Sequence, residues 1–347
     1  DDLTPTHLEK VAFVYINSDT KREPVNEFGK LASLGYASIN SPEGILRFKY
    51  LLGKGENEDA LGFNIMGTEN FLNIASGSER NFYLLTVGPN KEATQTGSYT
   101  AAEREQHFVC ALGNGIISNY IVDAEVGSIA SSTIDWEGDN IAFYSGSSGL
   151  SNPAINKNTL CPKGGEVTIN AAGTGSGVVP LLRPEDITVD FGTELLAEGG
   201  PILPGNEVSG KQEIYLQNFN IEVNFETEEE QALGVGDRGE ITVPVDINFN
   251  CRALLTDMHS GNLFKEVCRP TPRDITVNLK PPCVGCSGAN DMDPNLKYTI
   301  KGAIFDSQTI STSLDGPVTV DLNFVSQLGA PTATERGLLI SGAAAVP

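Results

Sequence analysis

The chain has 347 residues, 39% of them hydrophobic and 20% charged, with 23 basic against 45 acidic side chains and a formal net charge of −22. This is a globular rather than a disordered composition, and its field repels both nucleic acid and anionic lipid. No apolar run approaches the roughly 20 residues that span a bilayer, the N-terminal DDLTPTHLEK is too acidic and polar for a signal peptide, and six cysteines are too few for a disulfide-stapled scaffold.

In chain order, period-two alternation dominates. Strands are expected over 9–16, 45–52 and 81–87. A helix is expected over 101–112, capped by Ser98 or Thr100, with glutamates in its first turn and Gly113 past its end. In the next ribbon Tyr120, Val122, Ala124 and Val126 share one face, and Asn119, Ile121, Asp123 and Glu125 the other. Gly127 allows a turn, after which Ile134 and Trp136 resume the apolar face. Residues 144–165 are rich in Gly, Ser, Asn and Pro. Short strands are expected at 166–170 and 186–191. Over 218–225, Phe219, Ile221, Val223 and Phe225 alternate with Asn218, Asn220, Glu222 and Asn224. Over 241–250, Ile241, Val243, Val245, Ile247 and Phe249 share a face. Pro244 lacks a ladder donor, which puts that strand at an edge or on a bulge. Strands at 274–279, 297–305 and 318–324 complete the series, and single helical turns are expected at 28–35 and 226–234. The expected fold class is mainly β with a minor helix complement.

A chain of this length exceeds what one core usually supports. The loop-rich middle divides it into domains at 1–165 and 166–347, the boundary falling between 145 and 180. The halves share a form. Residues 116–126 with 133–143, and 214–225 with 241–250, are each an alternating strand, a loop and a second alternating strand, which suggests a duplication. DITVDF (186–191) and DITVNL (274–279) lie 88 residues apart, a spacing that does not fit a two-fold repeat.

Sites with recognisable chemistry are few. Gly234, Gly236 and Gly239 spell G-x-G-x-x-G, but an acidic run precedes them and a strand follows, so the context of a dinucleotide loop is missing. The glycines at 173–177 lack the Lys and Ser/Thr of a phosphate loop. Cys283 and Cys286 form a CxxC which, with Cys251 and Cys268, could close a tetrahedral zinc site, although the second pair is spread too widely for a knuckle. His7, His107 and His259 stand in no catalytic motif. Asp291 and Asp293 lack the spacing and closing Glu of a calcium loop. No cofactor and no enzyme activity are expected.

LGNGIISNYIVDAEVGSIASSTIDWEGDNIAF resembles a stretch of the major tail, or tail-tube, proteins of tailed bacteriophages. The matching positions are Asn114, Gly115, Ile117, Ser118, Tyr120, Val122, Ala124, Val126, Gly127, Gly138, Asn140 and Ile141. LRPEDITVDFG, IYLQNFNIEVNFETEEEQALG and IKGAIFDSQTISTSLDGPVTVDLNF are similar to later parts of such proteins, so the resemblance covers about 112–324. The basic stretch expected before the second P-V strand is missing, since GVGDRGEITVPVD holds one arginine.

The resemblance implies a structural virion protein built of two tandem tail-tube-like β-barrel or sandwich domains with long hairpins. It implies rings, trimeric or hexameric, stacked into a tube that conducts genomic DNA without binding it specifically. The partners implied are further copies of the chain and other tail proteins (tape measure, terminator, possibly sheath), with no membrane. The location implied is the virion tail, assembled in the host cytoplasm. On this reading Asp123, Glu125, Asp135, Glu137, Glu222 and Asp246 line the channel, and Ser118, Tyr120, Val122, Val126, Phe219, Ile221 and Val223 form ribbons between subunits. An acidic bore offers DNA no adhesive basic patch. Alternation is equally the mark of an ordinary half-solvated sheet. The other readings are a β-sandwich surface or adhesion module, for which one tryptophan provides little glycan platform, and a thiol-metal or hydrolytic enzyme using Cys283 and Cys286 or His259.

Overall fold

The computed structural model describes residues 5–19, 22–38, 43–72, 79–93, 98–138, 140–156, 161–171, 187–191, 216–227, 241–254, 271–280, 296–311, 319–330, 332–333 and 335–342. It also describes the two-residue strands at 196–197, 200–201, 207–208, 211–212, 231–232 and 235–236. These residues are mainly β. Thirteen strands join one antiparallel sheet: β1 (Val11–Asp19), β2 (Glu43–Leu51), β3 (Arg80–Thr86), β4 (Phe108–Glu125), β5 (Ser131–Gly138), β6 (Asn140–Ser145), β7 (Ile187–Asp190), β8 (Leu216–Asn224), β9 (Asp246–Leu254), β10 (Arg273–Leu279), β11 (Leu296–Ser311), β12 (Thr319–Gln327) and β13 (Gly337–Gly342). The helices are short, α1 (Glu56–Ala60) and α2 (Ala101–Arg104).

Eight strands form a main layer in the order β1-β2-β5-β4-β8-β9-β12-β11. The two longest strands leave it at one end to build a second layer. Residues 108–115 of β4 pair with β3 and β6, and residues 296–303 of β11 pair with β10 and β13. The bend comes at a left-handed residue in each, Asn114 (φ 54) and Gly302 (φ 61). Asparagine tolerates that conformation and glycine takes it freely. At Gly302 a Cβ would also stand 2.5 Å from the Glu335 carbonyl oxygen.

The two halves repeat this plan, apart from β7, which has no counterpart among the described residues of the first half. The main-layer order β1-β2-β5-β4 recurs as β8-β9-β12-β11, and the flanking strands β3 and β6 recur as β10 and β13. The bulges recur as well. Register shifts at Val11/Phe13, Ile117/Asn119 and Arg80/Phe82 reappear at Leu216/Asn218, Phe305/Ser307 and Arg273/Ile275. Strand order thus matches the β4–β5 hairpin with β11–β12, not with the 214–250 hairpin as the sequence suggests. β8–β9 corresponds to β1–β2. The DITV segments at 186–191 and 274–279 are partners rather than copies, since β7 pairs with β10 and Val189 faces Val277.

Four local expectations are corrected. The helix over 101–112 stops at Arg104, held by a capping box in which Thr100 and Glu103 exchange hydrogen bonds. From Phe108 the chain is strand. Val109 and Ala111 bury one face and Cys110 and Leu112 the other, and a strand covered on both faces reads as a continuous apolar run that periodicity cannot separate from a helix. Residues 28–35 turn between the paired strands Arg22–Val25 and Gly35–Ser38 instead of forming a helix. In 226–234 the described residues are extended: Thr227 bridges Ile241, and Gln231–Ala232 pairs with Val235–Gly236. Pro244 precedes its strand rather than interrupting it, because β9 starts at Asp246, and this leaves Val243 exposed.

The core lies between the two layers as one apolar cluster running through both halves, from Leu46 to Ile340, where two separate cores were expected. Its continuity follows from the β4–β8 ladder, which makes the main layer unbroken. Trp136, Phe82 and Phe48 fill the first half, and Phe249, Phe324 and Phe305 the second. A smaller cluster of Val109, Leu150 and Val167 covers the reverse face of β4. Val167 reaches it because Glu166–Val167 pairs with Leu150–Ser151, so the residues just past 165 pack with the first half.

Candidate functional site

The main layer buries one face and leaves the other polar. In each strand the core takes alternate residues, so the positions between them share the outer face. That face is concave, with a trough of about 680 Å³ whose lining includes Lys49, Asp123, Glu125, Asn220, Asn250 and Asp321. All six carboxylates expected on a channel wall stand on it. Asp123, Asp135, Glu137 and Glu222 are half-buried, and Glu125 and Asp246 exposed. The ladders set Asp123 and Asp246 across from amide side chains. Asn220 Nδ2 donates to Asp123 Oδ1 at 2.6 Å, and Gln327 Nε2 donates to Asp246 Oδ1 at 3.2 Å.

The face is not uniformly negative. Asp135 lies opposite Arg47, whose Nη2 donates to Asp135 Oδ2 at 2.8 Å. Arg252 Nε donates to Asp321 Oδ1 at 2.6 Å across the β9–β12 ladder. Lys49 is a further base among acids that include Asp123, Glu125, Asp135, Glu137, Glu222, Asp246, Asp306 and Asp321. Residues 118–143 contain no base, and only the β2–β5 ladder brings Arg47 to them. The hydrogen bond and charge of Asp135 raise the Arg47 pKa. With Arg47 more than half exposed, the pair is expected to contribute less than about 1 kcal/mol. Arg47→Ala should therefore leave the unfolding midpoint almost unchanged while making the face one charge more negative, as chemical denaturation and electrophoretic mobility would show.

The apolar ribbon residues lie inside the chain. Tyr120, Val122, Phe219, Ile221 and Val223 are buried in its own core, and β4 pairs with β8 in the register Val122 to Ile221 and Tyr120 to Val223. The contact expected between copies is thus made within one. Ser118 sits half-buried at the β4 bulge, its carbonyl accepting from Phe225 N at 2.8 Å. Val126 falls beyond the end of β4 and is 64% exposed. Among the described residues, the strands of the main layer without a second neighbour are those at its ends, β1 and residues 304–311 of β11. Both carry exposed apolar side chains, Val11, Phe13 and Tyr15 on β1 and Ile310 on β11.

A buried polar cluster that sequence reasoning missed joins the halves. Glu58 of α1 has almost no exposed surface and accepts from the Tyr50 hydroxyl at 2.9 Å. The Tyr120 and Tyr298 hydroxyls lie 3.1 Å apart, one from each half. Burial pushes the Glu58 carboxyl above its ordinary pKa, and burial also holds all three tyrosines well up.

Of the candidate enzyme residues, His107 and Cys251 are among those described. His107 Nδ1 lies 2.8 Å from Ser147 Oγ, a serine–histidine contact, but Ser147 has no exposed surface for a substrate to reach. Cys251 is buried on β9, and burial pushes its thiol far up, away from the thiolate a metal requires. Cys268, Cys283, Cys286, His259, Asp291 and Asp293 lie outside the described residues, as do residues 173–177, Gly234 and Gly239. Among the described residues no group of three or more His, Cys, Asp or Glu is placed to hold a metal, and no helix is long and apolar enough to cross a membrane.

No protein-family model matches the chain, and no curated protein does. Solved structures do. A chain of the anti-feeding prophage baseplate is 10% identical over 45% of this chain and 92% of its own, with a TM-score of 0.31. A chain of the sheath–tube complex of an extracellular contractile injection system is 11% identical over 46% and 91%, with a TM-score of 0.30. Hcp1 of Salmonella typhimurium is 20% identical over 45% and 91%, with a TM-score of 0.26. Scores this low leave the fold to be argued from the ladders themselves.

Proposed function

We propose that this chain is a structural subunit of a tail-tube-like particle, a tandem duplication whose copies close edge to edge into rings. One observation carries the reading: among the described residues the main layer ends in two unpartnered edges, β1 and 304–311 of β11, that hold the same places in the strand plan as β8 and β4, which pair within the chain. Long exposed edges are an aggregation hazard, and ring closure removes them. The halves, dividing between 171 and 187, are the two repeats, so a trimer presents six equivalent repeats. The concave polar face turns inward as the wall of a bore, where the excess of carboxylates keeps DNA from adhering. On this reading the particle is a virion tail, the other tail proteins are its neighbours and the chain is not an enzyme.

Negative-stain microscopy of the purified protein tests this. Rings or tubes with a central hole are expected, and a monomer at high concentration overturns the reading. The hairpin of Arg22–Val25 and Gly35–Ser38 exposes Phe28 and Leu31 fully, which suits a contact between stacked rings. Replacing both by serine is expected to leave rings intact and to shorten stacks in the same micrographs.

A further inference from the structure

The repeat fixes which residues meet where two copies join, and this inference rests on the ring reading above. Through the ladders Ile16 stands level with Leu46, Trp136 and Ile117. Ile221 stands level in the same way with Phe249, Phe324 and Phe305. Ile16 therefore holds on β1 the place of Ile221 on β8. Val122 lies five residues past Ile117, and Ile310 five past Phe305, with one bulge in each interval. Ile310 therefore holds the place of Val122. Inside the chain Val122 faces Ile221, and neither has exposed surface.

We propose that a second copy of this chain adds its β1 to residues 307–311 of β11 in that same register, with Ile310 opposite Ile16, Thr309 opposite Asn17, Gln308 opposite Ser18 and Ser311 opposite Tyr15.

An independent observation on the second layer points to the same partner. In the second half Leu296, Leu338 and Ile340 are fully buried. What covers that edge is the first half's segment 52–72, where Phe71 N donates to the Leu338 carbonyl at 2.8 Å, Gly342 N to the Ile65 carbonyl at 3.0 Å, and Met66 bridges Ser341. The level positions in the first half are Phe108, Ile141 and Phe143. There Phe108 is 59% and Phe143 76% exposed. A copy added in the proposed register brings its own second half to this place. The patch is thus the uncovered counterpart of one that the chain covers for itself.

The test is cysteine cross-linking of the full chain under mild oxidation. Directly opposite residues of an antiparallel pair have Cβ atoms about 5 Å apart, close to disulfide geometry. Within one chain the two edges are separated by seven strand spacings, roughly 34 Å along the sheet, so any link formed joins copies. Asn17→Cys with Thr309→Cys is expected to give a ladder of linked species on non-reducing gels, closing at the ring number. Each single variant and the slipped pair Asn17→Cys with Ser311→Cys should give none beyond the background of native thiols. Phe143→Asp should weaken assembly at least about tenfold while leaving the unfolding transition unchanged. Rings in micrographs without the 17–309 link, or with the slipped link in its place, overturn the register and leave the ring reading standing. Neither rings nor link overturns both. Undiminished assembly of the Phe143 variant overturns the covering of the patch.

Discussion

Replacing Trp136 by alanine should lower the unfolding free energy by about 3–5 kcal/mol, the range for removing a large aromatic side chain from a packed core. The indole has no exposed surface and lies edge-on to Phe82, with ring centroids 5.7 Å apart. Two glycines leave room for it. A Cβ on Gly115 would fall 1.9 Å from Trp136 Cζ2 and 2.3 Å from the Glu137 carbonyl oxygen, and one on Gly138 would fall 2.0 Å from Cη2. Backbone and ring leave no space to relax, so Gly115→Ala should also destabilise, by about 1–3 kcal/mol or more. The double variant Gly115→Ala/Trp136→Ala should cost less than the sum of the two, because the methyl group enters the space the indole vacates. Denaturant midpoints of the four proteins, at unchanged m-value, check this. Additive losses would mean that the glycine serves the backbone rather than the ring.

The strands were legible where one face is wet. Phe219, Ile221 and Val223 alternate with Asn220 and Glu222 because β8 has the core on one side and solvent on the other, and period two survives in the sequence. At 109–112 both faces are covered, the period disappears and the pattern passes for a helix. The acids of the outer face of the main layer are legible in the sequence one ribbon at a time. Their basic neighbours are not, because Arg47 and Asp135 are 88 residues apart and only the ladder joins them. The sequence suggests a repeat between the halves, but on other hairpins than those the strand order matches. Its signal lies in bulge positions and strand order, which sequence similarity between the halves no longer carries. The alternation of Val122 and Ile221 does not say whether the facing strand belongs to the same chain; only the β4–β8 register does.

Glu58 gives the second large effect. Glu58→Ala should cost about 2–3 kcal/mol, since it removes the acceptor of the Tyr50 hydroxyl and leaves polar groups unpaired among apolar side chains. Glu58→Gln separates hydrogen bonding from charge, because the amide oxygen still accepts from Tyr50. The sign of its pH dependence follows from burial. The folded-state pKa of the carboxyl lies above its ordinary value of 4.5, so the folded chain holds this proton more tightly than the unfolded chain does. The resulting stabilisation is fully present below about pH 4.5 and is lost as pH rises through the folded-state pKa. The stability of the wild type relative to Glu58→Gln should therefore fall with rising pH across that window and level off above it. Because Tyr298 brings the second half to the same cluster, the loss should appear in one cooperative transition of the whole chain. A pH series of denaturant midpoints for the two proteins reads both outcomes, and parallel curves would mean that the carboxyl is solvated in solution.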